Sequence, residues 1–128
     1  MAVKVLIVED QEPFRLAARL VVEATEGFEV VGEVETGEAS VDAVPELGPD
    51  LVLMDVNLPG INGLEATRRI RAGSGARQPV VVLVLSTYEA AEYAPRAAEA
   101  GAAGFIPKGE FTPERLEEEW AAAVAAGA

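Results

Sequence analysis

The sequence predicts an α/β domain, a parallel β-sheet with helices on both faces. Five short apolar runs rich in β-branched residues alternate with five stretches of helical spacing, and such alternation is the mark of crossover connections between parallel strands. Three of the runs, VKVLIV at Val3–Val8, DLVLM at 50–54 and VVVLVL at 80–85, are nearly continuous in apolar residues, as strands covered on both sides must be. Most Gly and Pro residues fall outside the runs, where several of them end one element and turn the chain toward the next.

Val3–Val8 is the first strand. Residues 11–25 follow as a helix, with Phe14, Ala17, Ala18, Val21 and Val22 at helical spacing. Pro13 suits the first turn, where its missing N–H costs nothing, and Gly27 closes the segment. Phe28–Val34 is the second strand, 37–44 a short second helix closed by Pro45, and 50–54 the third strand. Residues 57–62 form a loop around Pro59-Gly60. The third helix, 63–72, pairs Glu65 with Arg69 at i,i+4 and is broken by Gly73-Ser74-Gly75.

Pro79 introduces the fourth strand, 80–85, and 88–100 is a fourth helical region ended by Gly101. A proline inside a helix costs about 3 kcal/mol, so Pro95 is expected to start the helix proper and to leave 87–94 irregular. The fifth strand is 104–106. The last helix, 112–126, has Thr112 as N-cap and Pro113 at the first helical position, with Trp120 expected partly in the core.

A chain of 128 residues is the size of one domain with a real core. It holds no cysteine and no histidine. Disulfides, thiolate metal sites, most zinc sites and a Ser-His-Asp triad are therefore excluded. The net charge of −12 speaks against direct nucleic-acid binding, which needs clustered basic residues. The densest such cluster, Arg68, Arg69, Arg71 and Arg77, is diluted by acid. No apolar run is long enough to cross a bilayer, and the N-terminus lacks the layout of a signal peptide, so cytoplasm is the expected compartment.

Ligands of an open parallel sheet bind beyond the carboxyl ends of its strands. Glu9 and Asp10 follow the first strand, Asp55 and Asn57 the third, Ser86 and Thr87 the fourth, and Lys108 the fifth. Three gathered carboxylates repel one another unless a cation neutralises them. Hard oxygen ligands without His or Cys suit Mg²⁺. A carboxylate beside that ion can attack a phosphoryl donor while lysine and hydroxyl offset the charge of the transferring group. Each residue also has a plainer reading: Glu9-Asp10 as a solvated turn, Asp55 or Ser86-Thr87 as helix caps, Lys108 as a surface lysine, Phe105 as core. The joint placement favours the metal site.

The strings LIVED at 6–10, DLVLMDVNLPGINGLE at 50–65, VLS at 84–86 and GAAGFIPK at 101–108 resemble the receiver domain of two-component response regulators, and the wording around Asp55 is most similar to the NarL-type subfamily. The resemblance covers essentially the whole chain, 1–128. It implies a flavodoxin-like, doubly wound five-stranded parallel sheet of order 2-1-3-4-5 with five helices. It implies Asp55 as phosphoacceptor, with Mg²⁺ held by Asp10, Asp55, the Asn57 backbone carbonyl and, through water, Glu9. Ser86 is the implied switch hydroxyl, Phe105 the switch aromatic, and Lys108 the partner of Asp55 or its phosphate. A sensor histidine kinase is the implied donor, with a possible homodimer on phosphorylation and control of transcription through a C-terminal output domain outside this chain. The chain would take part only in its own phosphotransfer rather than act as a dedicated enzyme. One departure is that Pro107 precedes Lys108 and Gly109 follows it, where many receivers place proline after the lysine.

Other functions fit less well. A haloacid dehalogenase-type hydrolase would carry a second Asp where Asn57 stands. A flavin module needs a hydroxyl- and glycine-rich loop in place of Glu9-Asp10-Gln11-Glu12. A phosphorylation-independent receiver-like docking module would have no use for the complete site.

Overall fold

The structure, a computed structural model, describes residues 2–73, 80–87 and 90–127. The strands are β1 (Val3–Val8), β2 (Phe28–Val34), β3 (Leu51–Asp55), β4 (Val81–Ser86) and β5 (Gly104–Pro107). They form one parallel sheet of order β2-β1-β3-β4-β5. The helices are α1 (Glu12–Ala24), α2 (Gly37–Leu47), α3 (Gly63–Gly73), α4 (Ala90–Ala100) and α5 (Pro113–Ala125), with a 3₁₀ turn at Lys108–Glu110. This is the flavodoxin-like architecture expected from the sequence.

The period-2 alternation of strand side chains divides the core in two. Leu6, Val8, Val52, Met54, Val82, Val84 and Phe105 point to one face and pack with Ala43 of α2, Leu64, Ala66 and Ile70 of α3, and Ala97 and Ala100 of α4. Val5, Ile7, Leu51, Leu53, Val81, Leu83, Leu85 and Ile106 point to the other and pack with Ala18 and Val22 of α1 and Leu116 and Ala123 of α5. Both faces of β1, β3 and β4 are therefore covered, which explains their continuous apolar runs. Strand β2 lies at the edge and carries Glu29 and Glu33 among its apolar residues; charge on an edge strand discourages further pairing.

Two helices differ from expectation, both at prolines. Helix α2 runs through Pro45 to Leu47, and Gly48, at φ 61°, caps it by donating its N–H to Val44 O at 2.9 Å. The glycine cap and the buried stripe of Gly37, Ser40 and Ala43 hold the last turn that Pro45 alone would end. Helix α4 already begins at Ala90 and contains Pro95, so 90–94 is helical rather than irregular. Tyr93, Ala94, Ala97 and Ala100 all pack on the core, and that burial offsets the hydrogen bond lost at Pro95. The expected helix positions 88 and 89, the breakers Ser74 and Gly75, and Arg77 and Pro79 lie outside the described residues.

Local signals at the other ends hold. Thr112 Oγ1 accepts the Arg115 N–H at 3.1 Å, ahead of Pro113. Arg69 Nε donates to Glu65 Oε2 at 3.0 Å. Trp120 is half-buried on the α1/α5 side and meets Phe28 edge-on, with ring centroids 6.2 Å apart.

Candidate functional site

Strands β1, β3, β4 and β5 are neighbours running the same way, so the residues at their carboxyl ends share one edge. Glu9 donates its N–H to Val34 O at 3.0 Å, which carries the ladder one residue beyond β1 and fixes where its side chain points. Asp55 is the last residue of β3, in register with Leu85. Ser86 ends β4 opposite Pro107, and Lys108 opens the 3₁₀ turn behind β5.

Three of these groups form a buried ionic knot. Lys108 Nζ lies 2.8 Å from Glu9 Oε1 and 3.2 Å from Asp55 Oδ1, while Glu9 is 1% and Asp55 4% exposed. Glu9 Oε2 accepts the Gln11 N–H at 3.0 Å, and the Glu9 carbonyl accepts Arg15 Nη1 at 3.0 Å. Asp10, half-buried, accepts Gln11 Nε2 at 3.2 Å. Glu9, Asp10 and Asp55 each present a carboxylate oxygen within 4.8 Å of the others.

The charges do not balance in this knot. Burial pushes Asp55 up from 3.8 to about 6, and the adjacent Glu9 carboxylate pushes the same way against the pull of Lys108. Burial by itself lowers Lys108, but Glu9 and Asp55 outweigh it and raise the ammonium above its ordinary value. The site thus holds one firmly protonated lysine among three acids. Glu9 Oε1 is satisfied by Lys108 alone, at 2.8 Å, among the described residues. A donor set of carboxylate oxygens with spare lone pairs and surplus negative charge fits a hard divalent cation such as Mg²⁺.

The remaining expected residues stand close by in the fold. Ser86 is buried at the end of β4, whereas Thr87 and Asn57 are exposed on the loops that follow β4 and β3. Phe105 is 8% exposed and belongs to the core on the α2–α4 side.

Two further residues at the site have no polar side chain to mark them in the sequence. Phe14, in the first turn of α1, places its ring centroid 4.4 Å from Lys108 Nζ. Helical side chains point back toward the N-terminus, so an aromatic four residues after Asp10 is aimed at the strand ends. That was the available signal. Gly63, the first residue of α3, sits directly on β3: a Cβ there would lie 2.0 Å from the Asp55 carbonyl oxygen. Its N–H donates to Val56 O at 2.9 Å. A glycine opening a helix three residues after the Pro59-Gly60 turn signal is the trace it leaves in the sequence.

Comparison with known proteins agrees with this picture. The family model of the response regulator receiver domain matches residues 5–121. Response regulator GacA of Pseudomonas aeruginosa is 37% identical over 115 residues, covering 90% of this chain and 52% of that protein. A LuxR-family two-component response regulator from Aurantimonas superposes with a TM-score of 0.86 at 32% identity, over 98% of this chain and 87% of that one. The receiver domain of a NarL response regulator from Mycobacterium tuberculosis gives 0.80 at 26% identity, over 93% and 97%. The chain spans about half the length of the curated relatives it matches.

Proposed function

The chain belongs to the response regulator receiver domain family, and from that premise we propose that it is a phosphorylation-activated switch with Asp55 as its phosphoacceptor. The observation that carries this reading is the Lys108 ammonium held between Glu9 and Asp55, with Asp10 in ligand range of both acids. A nucleophilic carboxylate, a fixed cation and a cation-binding acid pair are what phosphoryl transfer to aspartate requires.

In the proposed reaction a histidine kinase presents a phosphorylated imidazole. An Asp55 carboxylate oxygen attacks phosphorus. The new O–P bond forms as the P–N bond breaks, and the electron pair stays on the imidazole nitrogen. When bound, Mg²⁺ supplies charge neutralisation between the carboxylates and the phosphoryl oxygens. Asp10, Asp55 and the Asn57 carbonyl would hold it, with Glu9 acting through water. Lys108 pairs with a phosphoryl oxygen in place of Asp55. Ser86 donates its hydroxyl to another, and its movement draws Phe105 with it. The downstream reading is control of transcription through an output domain, consistent with the greater length of the relatives, and a phosphorylation-dependent homodimer.

Beryllofluoride, a phosphoryl mimic, tests the reading. With Mg²⁺ present, fluorine NMR should show a bound resonance for the wild type and none for Asp55→Asn. No bound resonance on either protein would replace the reading with a phosphorylation-independent docking module.

A further inference from the structure

The Lys108 ammonium is approached by two carboxylates and one aromatic ring. Glu9 and Asp55 approach at 2.8 and 3.2 Å, and the Phe14 ring centroid lies at 4.4 Å. The lysine side chain is 15% exposed, so few water molecules compete for its protons. A cation over a ring face within about 6 Å is attracted by the ring quadrupole, more strongly where water is excluded. Phe14 is itself anchored, half-buried against the core formed by α1, α5 and the sheet, beside Arg15, whose guanidinium holds the Glu9 carbonyl.

We propose that Phe14 is a positioning residue for the phosphotransfer site: its ring face holds the Lys108 ammonium against Glu9 and Asp55 and keeps it aimed where the phosphoryl oxygens arrive. This rests on the phosphoacceptor reading of Asp55. Four methylenes give lysine many rotamers, and the ring adds a third contact to the two ion pairs that hold Nζ. Its cation contact is to the lysine, so it acts on the phosphoryl group through Lys108, and its loss is not expected to lower the affinity for Mg²⁺ itself.

The test compares wild type, Phe14→Leu, Phe14→Met and Phe14→Tyr. Phosphorylation by acetyl phosphate with Mg²⁺ is followed by intact mass, Mg²⁺ affinity by calorimetry, and the Lys108 side-chain resonances by NMR. Loss of the ring should slow phosphorylation about five-fold, on the scale of one cation–π contact. It should also remove the ring-current shift of the Lys108 ε protons, with Mg²⁺ affinity as in wild type. Phe14→Tyr should restore both rate and shift. Two aliphatic replacements keep the result readable if one of them unfolds. An unchanged rate in Phe14→Leu or Phe14→Met would overturn the proposal while wild type is still phosphorylated. So would equal losses in Phe14→Tyr, or a matching loss of Mg²⁺ affinity, because these mark a general loosening of α1. No adduct on wild type would remove the phosphoacceptor reading, and this proposal with it.

Discussion

At the scale of single residues, Asp55 sets the character of the molecule. Its carboxyl is held near 6, above the 3.8 of an exposed aspartate, chiefly by burial and then by Glu9. Below pH 3.8 the folded and unfolded chains both keep the proton, and the group is neutral toward stability. Between 3.8 and about 6 the folded chain binds more protons than the unfolded one, so stability falls as pH rises. Above 6 the cost is constant, about 3 kcal/mol at one pKa unit per 1.36 kcal/mol. Without divalent metal, Asp55→Asn should therefore be more stable than wild type at pH 7, by up to about 3 kcal/mol, and nearly equal to it at pH 4. Urea unfolding at both pH values measures the difference; a less stable Asn variant at pH 7 would mean that the Lys108 attraction outweighs burial. The acids and Lys108 could be picked out of the sequence because each follows a strand and chemistry needs such groups together. Phe14 could not, since its spacing also reads as an ordinary core position of α1 and only its reach toward Lys108 distinguishes it.

At the scale of elements, the site depends on how closely α3 sits on β3. Gly63 leaves no room for a side chain above the Asp55 carbonyl. Forcing a methyl group into a packed contact costs about 1–3 kcal/mol. Gly63→Ala should lose about that much in urea unfolding and weaken Mg²⁺ binding by calorimetry, because β3 must shift where it carries Asp55. Retention of both would show that the helix start can move without disturbing the site. The prolines teach a different lesson. Pro45 and Pro95 are read locally as helix boundaries, and both lie inside helices, because tertiary burial along one helix face decides the length of the element. Pro95 still leaves a helix hydrogen bond unmade. Pro95→Ala should restore it and raise stability by about 1–2 kcal/mol, less than the full interior propensity difference. Loss of stability on that change would show that the ring itself packs in a way its exposed position does not reveal. Where caps rather than prolines mark the ends, as at Thr112 before Pro113 and Gly27 after α1, sequence and structure agree within a residue or two.

At the scale of the whole molecule, alternation and apolar runs were enough to indicate a parallel sheet covered on both faces. They do not by themselves give the strand order; the order came from family resemblance, and the structure has it. The same order puts Glu9-Asp10, Asp55, Ser86 and Lys108 at adjacent strand ends, so fold and site are one fact seen twice. On the proposal made above, this convergence makes Asp55 a phosphoacceptor that depends on Mg²⁺. The most direct measurement is intact mass after incubation with acetyl phosphate, run on wild type and Asp55→Asn, with and without Mg²⁺. Addition of one phosphoryl group to the wild type alone, and only with Mg²⁺, is the predicted result; an adduct that persists in Asp55→Asn, or that forms equally well in the presence of a chelator, would contradict it.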